Sequence, residues 1–146
     1  MDGLLFRMRV AVLWVALTVA LMGSWLLILF EAGRLGELLA GTIEGEPLDD
    51  TVRFTLTALV MLPLVMAGMT LLLSDRVNRW VNVVAGSALG LFGVYGVGSA
   101  LLAGELHWHV WPTALATAFA FLIAGLGAVA SRQPSSLDAQ DVVVPT

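Results

Sequence analysis

Residues 75–104 read DRVNRWVNVVAGSALGLFGVYGVGSALLAG. A short basic turn, Asp75 to Arg79, runs straight into a stretch notched by glycines, and no Asp, Glu, Lys, Arg or Cys interrupts Trp80 to Gly104. About 20 helical residues at 1.5 Å each cross the roughly 30 Å of bilayer hydrocarbon, so this stretch is predicted to be a membrane span. At spacings of three and four, Gly86, Gly90, Gly93, Val97, Ala100 and Gly104 share one stripe, in which only Val97 is not small. Lipid tails are as apolar as leucine, so helices associate in a bilayer through close packing, which small residues permit. The stripe is predicted to be a helix-packing groove, either a seam inside the bundle or a face for a second copy.

Three further windows lack Asp, Glu, Lys and Arg over a spanning length: Val10 to Phe30, Phe54 to Ser74 and Leu106 to Ser131. Of 146 residues, 59% are hydrophobic, more than a soluble domain carries. The predicted fold is all-α, a membrane-embedded antiparallel four-helix bundle with helices at about 10–30, 54–74, 80–104 and 110–131. These form one domain over 1–131, with an outer loop over 32–53 and a flexible cytoplasmic tail over 132–146. The first window is longer than the apolar core of a signal peptide and ends without an A-x-A-like site, so it reads as an uncleaved helix.

Orientation follows from the arginines, which are the only basic residues apart from histidine. Arg7, Arg9, Arg76, Arg79 and Arg132 fall on one side; Arg34 and Arg53 fall on the other, inside a mostly acidic loop. The positive-inside rule then places both termini in the cytoplasm and makes those five arginines topology anchors. Lysine-free, Ala/Val/Gly/Leu-rich usage suggests a bacterial source and hence the cytoplasmic (inner) membrane. The net charge of −4 resides largely in the loop, and no basic face suggests nucleic acid.

Along the chain, Trp14 and Trp25 lie near the two ends of the first span, where amphipathic rings settle in an aromatic belt. Arg34 to Ala40 is read as a short surface helix broken by Gly41, Gly45 and Pro47. Asp49, Asp50 and Thr51 supply cap-like residues ahead of the second span. Pro63 stands in the middle of that span, where it removes one backbone hydrogen bond and kinks the helix. The short connection from Ser74 to Arg79 predicts that the second and third spans are antiparallel neighbours, with Asp75 pairing Arg79 one turn away. Asn78 and Asn82 share a face and are expected to bond a neighbouring helix or a headgroup. In the fourth span Ala116, Ala120, Ala124 and Ala128 form a second small stripe, a natural partner for the glycine groove.

Few residues suggest chemistry. Glu105, His107 and His109 alternate as E-x-H-x-H and would point one way in an extended segment, which makes them weak candidates to ligate a metal. With Trp108 and Trp111 beside them, an aromatic belt explains the same residues, and no metal site is assigned. Both histidines lie at one edge of the bundle, the spans hold no acidic or basic residue for ion coupling, and no phosphate loop or protease motif is present. No catalytic residue and no cofactor is therefore expected, and an enzyme is disfavoured. A midplane cavity for an apolar or weakly polar ligand is a second possibility, lined by Pro63, Met66, Ser87, Tyr95 and Ser99.

Four segments together carry a resemblance: Val12-Leu13-Trp14, Gly41-Thr42-Ile43-Glu44-Gly45, Pro63 with Met66, and above all Arg76-Val77-Asn78-Arg79-Trp80-Val81-Asn82-Val83-Val84-Ala85-Gly86. Over roughly Val10 to Ala130 the chain resembles a bacterial family of small four-span membrane proteins of unknown function. The resemblance implies a compact four-helix bundle and no particular activity. The residues then leave two main readings: a non-enzymatic bundle that associates with itself or with a membrane-protein partner through its helix faces, or a carrier or binding protein for a small molecule. A metal-dependent membrane enzyme is the weaker third.

Overall fold

The computed structural model describes residues 3–43, 45–104 and 110–131. Among these the elements are α1 (Gly3–Ile28), α2 (Arg34–Leu39), β1 (Thr42–Ile43), β2 (Glu46–Pro47), α3 (Asp50–Leu72), α4 (Asp75–Leu102) and α5 (Val110–Ser131). α1, α3, α4 and α5 are each long and apolar enough to cross a membrane. They alternate in direction: Arg7 at the start of α1 meets Asp75 at the start of α4, Arg79 meets Ala130 at the end of α5, and Ser24 late in α1 meets Thr113 early in α5.

The helices start earlier than the uncharged windows suggest, because the flanking charges are held inside them. Arg7 lies within α1, and its Nε and Nη2 donate to Asp75 Oδ1 at 3.0 and 2.8 Å, with Nη1 reaching the Leu71 carbonyl at 3.2 Å. Asp75 therefore pairs across helices, whereas the sequence suggested pairing with Arg79 in its own helix. Arg79 instead donates from Nη1 to the Ala130 carbonyl at 2.6 Å, satisfying one of the free acceptors at the end of α5. The Asp75 carboxylate is more than half exposed, and exposed ion pairs contribute little. Asp75→Asn is expected to cost less than about 1 kcal/mol, read as a small fall in melting temperature that shrinks further in high salt.

Packing departs from chain order. α5 packs against both α4 and α1, and α1 carries α3 on its other side, giving the spatial order α3, α1, α5, α4. α3 and α4 are joined by extended residues, Leu73 (ψ 150°) and Ser74 (ψ 151°), and have little contact beyond that turn. The expectation of close neighbours from the short connection is corrected: the glycines of α4 seat α5 instead.

That seam is tight. A Cβ on Gly86 would lie 2.8 Å from the Ala120 carbonyl oxygen and 2.9 Å from the Ala124 nitrogen. At Gly90 it would stand 2.9 Å from the Phe121 ring, and at Gly93 it would collide with the Thr117 side chain. From the other side, Gly127 brings α5 to within 2.9 Å of the Arg79 carbonyl oxygen by the same measure. Ala116, Ala120 and Ala124 are all buried on α5. Gly104 does otherwise: it is exposed, has φ +74° and has nothing within 4 Å of a Cβ position. It follows the end of α4 in the left-handed conformation that glycine tolerates, so it is a helix-terminating residue and not part of the packing stripe.

Phe6, Val10, Trp14 and Leu17 of α1 pack with Ala116, Ala120 and Ile123 of α5 at the centre. Large apolar side chains also cover the outside, among them Val12 and Val19 on α1, Leu72 on α3 and Val84, Leu91 and Leu102 on α4. An apolar exterior of this extent suits lipid as the surrounding solvent. At the opposite end to the α3–α4 turn, α2 and the small hairpin form the loop. Gly41 and Gly45 turn the chain at φ +77° and +80°, and Asp49 Oδ1 accepts from the Val52 amide at 2.8 Å to cap α3.

Candidate functional site

Two interior features stand out, a polar network near the α3–α4 turn and an apolar cleft at the other end. The network begins with the Trp14 indole, which donates from Nε1 to Asn82 Oδ1 at 2.6 Å. Asn82 Nδ2 donates back along α4 to the carbonyl and the Oδ1 of Asn78, both at 2.7 Å. Asn78 Nδ2 then reaches across to the Thr70 carbonyl at 3.1 Å, and Thr70 Oγ1 donates to the Met66 carbonyl at 2.8 Å. Trp14, Thr70, Asn78 and Asn82 are all fully buried.

An unpaired polar group in an apolar interior carries a desolvation cost of about 1–3 kcal/mol, so such a chain is stable only if nearly every member is satisfied. This one joins α1, α3 and α4. The sequence placed Trp14 in a membrane-interface belt; the structure buries it, with Asn82 of α4 accepting from its indole N–H. Both asparagines bond protein rather than lipid. The network is a structural lock, with no group in it suited to proton transfer.

The cleft lies toward the loop end, where α3 and α4 stand apart. Its volume is about 240 Å³. Its lining comes chiefly from α1 (Leu21, Trp25), α4 (Phe92, Gly96, Val97) and α5 (Ala116, Thr117), with Leu59 contributed by α3. Polar character is sparse: Ser24 Oγ and Thr113 Oγ1 share a hydrogen bond of 2.8 Å in the lining. Pro63 lacks an amide hydrogen, so the carbonyl four residues earlier, that of Leu59, loses its helical donor at the cleft wall. A mostly apolar concavity with a few polar groups is the usual form of a small-molecule site.

A second cavity of about 370 Å³ lies beneath the loop and shares Trp25 and Ile28 with the first. Leu56, one turn from Leu59, lines it, together with Ile43, Leu48 and the charged residues Glu31, Arg34 and Glu37. Arg34 lies between the two carboxylates, 3.5 Å from Glu31 Oε2 and 3.2 Å from Glu37 Oε2.

The midplane cavity suggested by the sequence is not assembled from its named residues. Pro63 and Met66 are buried in the packing between helices, Tyr95 is 74% exposed on the outer face of α4, and Ser99 is exposed and bonds the Gly96 carbonyl one turn back. Ser87 is part-buried and lies outside both cavities. The reason is the register of α4: once Gly86, Gly90 and Gly93 face α5, Tyr95 and Ser99 turn outward. Ala100, read as a packing residue, lines the cleft. Glu105, His107, His109 and Arg132 lie outside the described residues.

Residues 6–132 match a family of unknown function (DUF6326), and with most of its length covered the chain belongs to that family. No curated protein and no solved structure matches the chain.

Proposed function

We propose that this member of the DUF6326 family is a multi-pass protein of the bacterial cytoplasmic membrane, with both termini cytoplasmic, that binds an apolar or weakly polar small molecule between α3 and α4. The observation that carries the reading is the cleft itself, a largely apolar concavity left where two sequence-adjacent helices fail to pack. The alternative of association through the glycine face has less support, because α5 already occupies Gly86, Gly90 and Gly93. The orientation rests on the arginines: Arg7, Arg9, Arg76 and Arg79 gather at the end opposite the acidic loop. No step of catalysis is part of this reading; binding or carriage of the ligand is.

Gly96 offers a clean test, since it lines the cleft and a Cβ there would meet nothing within 4 Å. A phenylalanine at this position fills the cleft without wedging α4 from α5. In phosphatidylcholine nanodiscs, Gly96→Phe is expected to weaken saturable binding of decan-1-ol at least tenfold, about 1.4 kcal/mol, with the melting temperature nearly unchanged. Equal binding by both proteins, measured against empty nanodiscs, would remove the cleft from consideration.

A further inference from the structure

The cleft is closed at its inner end. Its deepest lining residues are Leu17 on α1, Leu89 on α4 and Ala120 on α5, and both Leu17 and Ala120 are 1% exposed. One turn further in, Trp14 and Ile123 are fully buried, and at Gly86 an added Cβ would lie 2.8 Å from the Ala120 carbonyl oxygen. The packed core therefore plugs the cleft in the middle of the bundle. At the loop end it shares Trp25 and Ile28 with the cavity beneath the loop, so that end is the mouth.

Three helices give the same depth. The lining extends from Leu17 to Ile28 on α1 and from Leu89 to Ala100 on α4, about 16 Å each at 1.5 Å per residue, and from Val110 to Ala120 on α5, about 15 Å. An extended chain advances about 1.2 Å per bond, so this depth holds about twelve bonds. Spread over it, a volume of about 240 Å³ makes a narrow space with a mostly apolar wall.

We infer that the cleft is a ruler for an unbranched alkyl chain: about ten to twelve carbons enter tail-first from the loop end, and Leu17 and Leu89 set the limit. This rests on the small-molecule reading above and adds the shape and length of the ligand to it. Lipid tails are as apolar as the cleft, so a chain leaving the bilayer gains little from the hydrophobic effect, and fit decides. A short chain leaves the blind end empty and forgoes contacts there. A long one must buckle against Leu17 and Leu89 or push its head out of the mouth, with the cost of overpacking.

The test measures saturable binding of octan-1-ol, decan-1-ol, dodecan-1-ol, tetradecan-1-ol and hexadecan-1-ol to the full-length protein in phosphatidylcholine nanodiscs. Affinities are referred to alcohol dissolved in the bilayer, so that partitioning into lipid drops out. The wild type is expected to bind decan-1-ol or dodecan-1-ol best and hexadecan-1-ol at least tenfold more weakly. Leu17→Ala should move the optimum to tetradecan-1-ol or beyond. Leu89→Ala should do the same from a part-buried position, with a smaller loss of stability. Affinity that is flat or still rising from decan-1-ol to hexadecan-1-ol in the wild type, or an optimum unmoved in the folded variants, overturns the ruler and leaves the cleft reading standing on decan-1-ol. Failure of every alcohol to bind saturably overturns both.

Discussion

Gly86→Leu is expected to be the most damaging single substitution in the protein, lowering stability by about 3 kcal/mol, at the upper end of what overpacking usually costs. The first added carbon alone would stand 2.8 Å from a backbone carbonyl oxygen and 2.9 Å from a backbone nitrogen of α5. Neither atom belongs to a side chain that can rotate aside, so α4 and α5 must separate along the seam. Even Gly86→Ala should be destabilising, by about 1–2 kcal/mol. Gly90 provides an instructive comparison, because its obstacle is the Phe121 ring, a side chain more than 40% exposed that can swing away. The expected order of loss is Gly86→Leu, then Gly90→Leu, with Gly96→Leu near zero, read from unfolding in mixed micelles. Equal losses at Gly86 and Gly96 would contradict the seam.

The second large effect is expected at Asn82. Replacing it by leucine keeps the volume roughly constant but leaves the Trp14 indole N–H without an acceptor and removes the donor to Asn78 Oδ1. Hydrogen bonds between membrane helices are worth about 0.6 kcal/mol on average and up to about 1.7. Because one buried donor is stranded while several bonds are lost, about 2 kcal/mol is expected for Asn82→Leu. Trp14→Phe should cost less, since it removes the donor together with its need for a partner. The double variant should then be less destabilised than the sum of the two, by about 1 kcal/mol, as groups in one network are coupled. Strict additivity would show that Trp14 and Asn82 do not interact.

The number of membrane-capable helices was legible in the sequence because charge-free length is a strong signal and depends on no tertiary contact. The same holds for the Asp49 cap and for the short helix at Arg34–Leu39, which local residues specify. What could not be read was which helix each face meets. Asp75 had a suitable partner at Arg79 within its own helix, yet it binds Arg7, which is 68 positions away. Trp14 gave an ambiguous signal, since an indole suits both a headgroup belt and a buried donor. Its meaning depended on two asparagines on another helix.

The cleft was harder still. It exists because α3 and α4 separate, and the short Leu73–Ser74 connection pointed the other way. Gly96 looks in sequence like one more notch in a glycine-rich helix. Only the register set by Gly86, Gly90 and Gly93 against α5 makes it part of a cavity wall. Tyr95 and Ser99, the polar residues that drew attention as ligand contacts, are carried to the outer face by the same rotation.

The central claim is that a small molecule occupies the space between α3 and α4. Its most direct test is native mass spectrometry of the wild-type and Gly96→Phe proteins, both extracted gently from the membrane in which they were made. The wild type is expected to retain a stoichiometric small-molecule adduct that Gly96→Phe lacks, with both chains folded. Bare wild-type protein, or the same adduct on both proteins, would contradict the claim.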